Sequence, residues 1–200
     1  LARGDRIDIA ALFAHDLVYL DVYDMPLRRF LLDLPAHTAP ATRLLGSLTS
    51  ITRNLPPDAF DLLMRHDAVV GDASELSAIT GAANLDVAMN RVRARMRGEN
   101  LRAAGLSLGA AGSLAFTIDR IWRAPAYRVN VVDTTGAGDA FAAGTAFGLA
   151  CRWDWGVTIR FGNAVAARSI QALGAQSALP VWDDAIDVMR TNDTIRYDSK

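Results

Sequence analysis

One stretch constrains this chain more than any other. A β-branched run, Val129, Val131 and Val132, breaks into Asp133-Thr134-Thr135-Gly136-Ala137-Gly138-Asp139. A helix of small and apolar residues then opens at about Asp139 and continues through Phe141, Ala142, Thr145, Ala146 and Leu149. A strand, a glycine turn and a helix start gather free backbone N–H groups at the positive end of a helix dipole. Such a place binds anions, phosphate above all. It also carries a carboxylate, Asp139, in its first turn. That acid has two readings: a complement to the helix dipole, or a base that accepts a proton from a hydroxyl while the N–H groups stabilise a transferring phosphoryl group.

The rest of the chain supplies a setting for that turn. Asp16–Asp21 reads as a buried strand and Pro26–Leu34 as the helix after it. Arg43–Ser50 reads as a second strand, and 57–66 as a helix with Phe60, Leu63 and Met64 at helical spacing. Ala68–Gly71 is a third short strand, and Leu85–Arg97 an amphipathic helix with Leu85, Met89, Val92 and Met96 as its buried stripe. Strands follow at Ala103–Leu108, Ser113–Ile118, Ile121–Ala124 and Tyr127–Val132, with Pro125 bending the connection between the last two. Trp153–Leu173 reads as a long helix stopped by Gly174-Ala175, and Asp183–Met189 as a last one. Alternating strands and helices argue for an α/β fold with a mostly parallel sheet covered by helices. Without a repeat or linker, 1–200 is taken as a single domain.

Composition narrows the function. A net charge of −1 gives no general attraction to nucleic acid or an anionic membrane. Of the 21 Lys+Arg only Lys200 is lysine, which argues against a lysine phosphate clamp. The lone Cys151 fits a reducing compartment, and with no membrane-spanning stretch or signal peptide the expected location is cytoplasmic. There is no GxxxxGK[ST]. His15, His37 and His66 are scattered and read as surface or capping residues. Arg91, Arg93, Arg95 and Arg97 read as a solvated helix face, with a phosphate role as the sharper alternative.

Two further places could carry chemistry. Asp72 and Glu75 follow the strand 68–71, at the carboxyl end where open α/β sheets bind ligands. Three apart at a helix start, they could share a hydrated Mg²⁺, or they could form a capping arrangement on Asp72 or Ser74. Ser107-Leu108-Gly109-Ala110-Ala111-Gly112 joins two strands, and by itself is a glycine-containing turn.

The twelve residues DTTGAGDAFAAG (133–144) closely resemble the C-terminal motif of the ribokinase-like (PfkB) family of carbohydrate and nucleoside kinases. The other two places fall in the family's order: Asp72-x-x-Glu75 where an Asn-x-x-Glu element is usual, and Ser107-x-Gly109-x-x-Gly112 where Thr-x-Gly-x-x-Gly is usual. The resemblance runs from about Asp16 to Pro180. It implies a three-layer αβα Rossmann-like sandwich and ATP-dependent phosphorylation of a hydroxyl on a sugar, sugar acid or nucleoside. Asp139 is then the catalytic base, and Gly136, Ala137 and Gly138 form the anion hole. Glu75, with Asp72, orders Mg²⁺ through water. Ser107, Gly109 and Gly112 pack beside the nucleotide ribose and phosphates, and Asn163 and Ala166 face the adenine. A monovalent cation such as K⁺ is implied at Asp133, Thr135, Ser169, Ala172, Gly174 and Ala178. The small residues of the 163–167 stretch could instead serve helix packing alone.

The family's N-terminal region, with a glycine-pair motif, most sugar contacts and a β-sheet lid that often mediates homodimers, is not recognisable before Asp16. The chain is therefore read as the C-terminal two-thirds of such a kinase, without a nameable sugar. The competing reading is a non-catalytic ATP-binding regulatory relative, suggested by the absent substrate half and by Asp72 in place of Asn.

Overall fold

A computed structural model describes residues 11, 13–21, 25–33, 41–53 and 55–191. Among the described residues six strands are present: β1 (Leu17–Leu20), β2 (Arg43–Ser47), β3 (Ala68–Asp72), β4 (Ala103–Ser107), β5 (Ser113–Thr117) and β6 (Ile121–Ala124). Among the described residues eight α-helices accompany them: α1 (Met25–Asp33), α2 (Leu48–Thr52), α3 (Ala59–Met64), α4 (Ala73–Thr80), α5 (Leu85–Met96), α6 (Ala137–Ala150), α7 (Trp155–Ser169) and α8 (Trp182–Thr191). The expected helix Pro26–Leu34 is α1, with Leu34 outside the described residues, as is His37.

The strands form one sheet in the order β1-β2-β3-β4-β5-β6. β1 pairs parallel with β2, Leu17 opposite Arg43 and Leu20 opposite Gly46, and β2 pairs parallel with β3, Leu45 opposite Ala68. β4 and β5, and β5 and β6, are joined by connections of three to five residues. Connections that short join antiparallel neighbours, because a parallel return needs a crossover of about a dozen residues. The sheet is therefore mixed, an α/β arrangement. β2 is buried throughout after Arg43, as parallel strands covered on both faces are.

The chain divides into two compact units, the cut running through β4 and β5 themselves: Leu1–Ala104 with Phe116–Arg120, and Gly105–Ala115 with Ile121–Lys200. In the first unit Leu45, Leu48, Ile51, Leu62, Val69 and Leu76 are buried. His66 is buried with them, not at the surface as its scattered placement suggested. Its ring lies against Gly46, where an added Cβ would fall 2.5 Å from the ring, and Nδ1 donates to the Leu62 carbonyl at 2.9 Å. Burial pushes its pKa down to about 4, so the imidazole is neutral at pH 7.

The arginines of α5 do specific structural work. Arg91 donates to the Thr80 and Gly81 carbonyls at the end of α4. Arg93 donates to the carbonyls of Thr117 and Arg120, and Arg95 pairs with Asp61 and Glu99.

In the second unit, α6 and α7 approach through small residues. A Cβ on Gly144 would meet Gly162 Cα at 2.8 Å, and one on Gly148 would meet Thr158 Oγ1 at 2.8 Å. Beside this contact Phe147, Trp153, Phe161 and Trp182 form a cluster with ring centroids 5.4–6.0 Å apart. The tryptophans at 153 and 182 thus pack around the last helices, and Trp155 lies under Gly105 of β4.

Three elements differ from the sequence expectation. The strand expected over Arg43–Ser50 ends at Ser47, which caps α2 by accepting from the Ser50 N–H while Ser50 Oγ donates to the Ser47 carbonyl. Local hydroxyl-to-backbone bonds turned an apolar run into a helix. Tyr127–Val132 is extended chain and not a strand: Pro125 lacks an N–H, the Ala124 and Pro125 carbonyls bond to Asn163, and the Val132 N–H goes to the Ile170 carbonyl. The helix expected over Trp153–Leu173 begins at Trp155, where Asp154 caps it, and ends at Ser169, so Gly174 lies well past its end.

Candidate functional site

In the second unit, extended chain from 127 feeds the loop 133–136. Asp133 accepts from the N–H and hydroxyl of Thr135 through Oδ1, at 2.9 and 2.7 Å, and from the Gly174 N–H through Oδ2 at 2.8 Å. These three donors, the Thr135 N–H foremost, hold its carboxyl below the usual Asp range. The Val132 and Asp133 N–H groups both go to the Ile170 carbonyl. Loop 132–136 is thereby laced to segment 170–175, which brings Asp133, Thr135 and Gly174 together. Ser169 Oγ turns back to the Ala166 carbonyl, Ala178 is buried, and Ala172 is half-buried.

Gly136 caps α6 with φ 79°, a left-handed conformation that favours glycine. It is also pressed against its neighbour, since a Cβ there would lie 2.7 Å from Ala175 Cβ. The cap has no side chain to accept from the helix, so the first-turn donors look outward. Ala137 N–H bonds to the Thr134 carbonyl at 3.1 Å and Ala140 N–H to the Gly136 carbonyl at 2.9 Å. That leaves the N–H groups of Gly138 and Asp139 as the donors helix geometry cannot satisfy. Gly138 has nothing within 4 Å of the place a Cβ would occupy, and the Asp139 side chain is exposed. The turn therefore offers unpaired N–H groups, room for an anion and a solvent-facing carboxylate within a few residues.

The Ser107–Gly112 stretch, also in this unit, is a tight turn containing a 3-10 segment, Gly109–Ala111. Leu108 N–H bonds to the Gly112 carbonyl at 2.8 Å, and Ser107 Oγ accepts weakly from Gly109 N–H at 3.4 Å. Gly109, with φ 60°, has open space on its Cβ side. Asn163 is buried in α7 and donates to the Ala124 and Pro125 carbonyls. Ala166 packs against the cluster of Ala140, Phe161, Ala164, Val165 and Ala185.

Asp72 and Glu75 belong to the first unit. They form a complete capping box on α4: Asp72 Oδ1 accepts from Ser74 N–H at 2.7 Å and Glu75 N–H at 2.9 Å, and Glu75 Oε2 accepts from Asp72 N–H at 2.9 Å. Burial pushes the Glu75 carboxyl up, against bonds from the Thr49 hydroxyl and the Asp72 N–H. Asp72 Oδ2 takes no part in the box, which leaves one carboxylate oxygen available to metal-bound water. Among the described residues no three His, Cys, Asp or Glu cluster as a metal site, and no helix is long and apolar enough to cross a membrane.

Comparison with known proteins supplies the family. The model of the pfkB family carbohydrate kinases matches residues 9–182. The chain belongs to the pfkB family. Aminoimidazole riboside kinase of Salmonella typhimurium is 40% identical over 116 residues, covering 56% of this chain and 35% of that protein. Fructokinase of Klebsiella pneumoniae is 33% identical over 142 residues, 64% of this chain and 44% of that protein. Among solved structures, Thermotoga maritima ribokinase aligns with a TM-score of 0.76 at 20% identity, over 92% of this chain and 60% of its own. The Salmonella enterica aminoimidazole riboside kinase, complexed with aminoimidazole riboside and an ATP analogue, aligns with a TM-score of 0.61 at 29% identity, over 75% of this chain and 53% of its own. The fold is thus ribokinase-like α/β. This pfkB-family chain spans between about a third and three-fifths of the length of these relatives.

Proposed function

We propose that this chain carries the nucleotide-binding and catalytic portion of a kinase that moves the γ-phosphoryl group of ATP to a hydroxyl of a sugar, sugar acid or nucleoside, its two units serving one kinase domain. The observation that carries the reading is the first turn of α6, where the N–H groups of Gly138 and Asp139, open space at Gly138 and the exposed Asp139 carboxylate sit together. Family membership and relatives that act on ribosides and fructose support it.

In this reading Asp139 orients the acceptor hydroxyl and takes its proton. The N–H groups at Gly136–Gly138, with that of Asp139, receive the charge that develops on the transferring phosphoryl oxygens. Ala137 takes part only by sharing its N–H with the Thr134 carbonyl. Phosphoryl transfer through a loose transition state asks more of positioning than of early deprotonation, so an exposed carboxylate suffices as the base. Mg²⁺, when bound, would neutralise phosphate charge; Asp72 and Glu75 are the residues assigned to its water shell, and Asp72 Oδ2 fits that role. Ser107, Gly109 and Gly112 are assigned to the ribose and phosphates. The laced loops at Asp133, Thr135, Ser169, Ala172, Gly174 and Ala178 are assigned to K⁺ through main-chain oxygens.

The test is ATP consumption by the intact gene product with Mg²⁺ and K⁺ across sugars, sugar acids and nucleosides. One acceptor should stimulate it, and Asp139→Ala should lower kcat by roughly 10²–10⁴-fold while ATP still binds. Loss of ATP binding together with turnover would remove the base assignment. ATP binding with no stimulating acceptor would favour the regulatory nucleotide-binding relative.

A further inference from the structure

Resting on the kinase reading above, we propose that Asn163 is a positioning residue: its buried amide clamps the Ala124–Pro125 segment against Gly112 and so fixes the Gly109–Gly112 turn that receives the nucleotide, without reading the base. Asn163 Nδ2 lies 3.3 Å from the Ala124 carbonyl and 3.1 Å from the Pro125 carbonyl, and the residue is 7% exposed. A side-chain amide has one nitrogen and two hydrogens to donate. Here that nitrogen faces two main-chain oxygens.

The need for the clamp begins in the sequence. Ala124 ends β6, and Pro125 cannot donate to a ladder, so the chain leaves the sheet there. Carbonyls freed inside a protein require a partner, and Asn163 supplies it from the neighbouring helix. Gly112 closes on the same segment. With φ 97°, a Cβ on Gly112 would lie 2.1 Å from the Ala124 oxygen and 2.6 Å from both Pro125 C and Ala126 N. The Ala124 carbonyl is thus in contact with the Asn163 amide and with Gly112. Gly112 also closes the turn, its carbonyl accepting from Leu108 N–H at 2.8 Å and its N–H donating to the Gly109 carbonyl at 3.0 Å. A contact this tight leaves no slack. A shift of segment 124–126 passes directly to Gly112, and through it to Gly109, whose open side faces the proposed nucleotide.

The experiment measures dissociation constants of the intact protein with Mg²⁺ for ATP, GTP and inorganic triphosphate, together with amide hydrogen exchange over 105–117. The variants are Asn163→Leu, Asn163→Asp and the milder Asn163→Ser, which keeps one shorter donor. Each lost clamp should raise the ATP and GTP constants by the same factor, roughly tenfold for Asn163→Leu. Asn163→Asp should be the worst, because a carboxylate would face two carbonyl oxygens. Exchange should quicken over 108–113, with Asn163→Ser intermediate and usable if the larger changes prevent folding. A changed ATP-to-GTP ratio with unaltered exchange in the turn would overturn the proposal and make Asn163 a base-contacting residue. Wild-type protein that binds no nucleotide at all would overturn the kinase reading itself, and the nucleotide role of the clamp with it.

Discussion

Helices α4 and α6 both start with an acid at the third position, and they treat it in opposite ways. In α4 the cap is Asp72, whose side chain accepts the first-turn N–H groups while Glu75 reaches back to the cap's own N–H. The acids and the donors satisfy one another, and the start is closed. In α6 the cap is Gly136, which has no side chain to offer, and the first-turn N–H groups of Gly138 and Asp139 remain beside an exposed carboxylate. The acid at the third position is the same kind of signal in both. The residue at the cap decides whether the helix start is closed or left with open donors. A start with its own cap gains about 1 kcal/mol of stability, and a start without one keeps its donors free for a ligand.

Three substitutions can break or sharpen that contrast. The largest effect on stability is expected at Gly136→Ala, because the left-handed cap costs an L-residue about 1–2 kcal/mol and the new methyl meets Ala175 Cβ at 2.7 Å. Thermal unfolding should move clearly downward and nucleotide binding should fall with it. An unchanged Tm would mean that the cap conformation is not a requirement. Asp72→Ala should cost less, about 1 kcal/mol in denaturant unfolding, since it opens the capping box of α4. If Asp72 also holds metal-bound water, the Mg²⁺ concentration for half-maximal activity rises as well, and an unchanged Mg²⁺ dependence leaves it a cap alone. Gly138→Ala should change stability least, within about 1 kcal/mol, because nothing lies within 4 Å of the added methyl. Its nucleotide affinity should nevertheless fall. Unaltered affinity would place the phosphate away from this turn.

Much of this was legible beforehand, for identifiable reasons. The strands 43–47 and 68–72 carry the apolar runs Leu44-Leu45 and Ala68-Val69-Val70, which are buried as parallel strands are, whereas in the strand 17–20 Leu20 is buried and Tyr19 is exposed. The stripe Met89, Val92 and Met96 repeats at helical spacing and is buried. What failed depended on partners far away in sequence. Val129, Val131 and Val132 have strand propensity, yet Val131 and Val132 are about half exposed and their segment bonds to Ile170 instead of joining the sheet. His66 is a polar residue by composition, but Gly46, twenty residues earlier, makes room for its ring in the core. The bonds from the Asn163 amide to the Ala124 and Pro125 carbonyls likewise join residues far apart in sequence.

The sequence by itself determined the family and the local chemistry: a glycine at 136 that can adopt a left-handed cap, an acid at 139, and acids at 72 and 75 in capping-box spacing. Those are short-range facts, governed by which backbone angles a residue tolerates and which donors lie within one helical turn. The tertiary structure decided what each group is free to do. Asp133 is held to Gly174, Gly136 is pressed on Ala175, and Gly112 is pressed on Ala124. The reason is physical: a polar group or a glycine gains its role from the atoms that reach it, and those atoms come from anywhere along the chain.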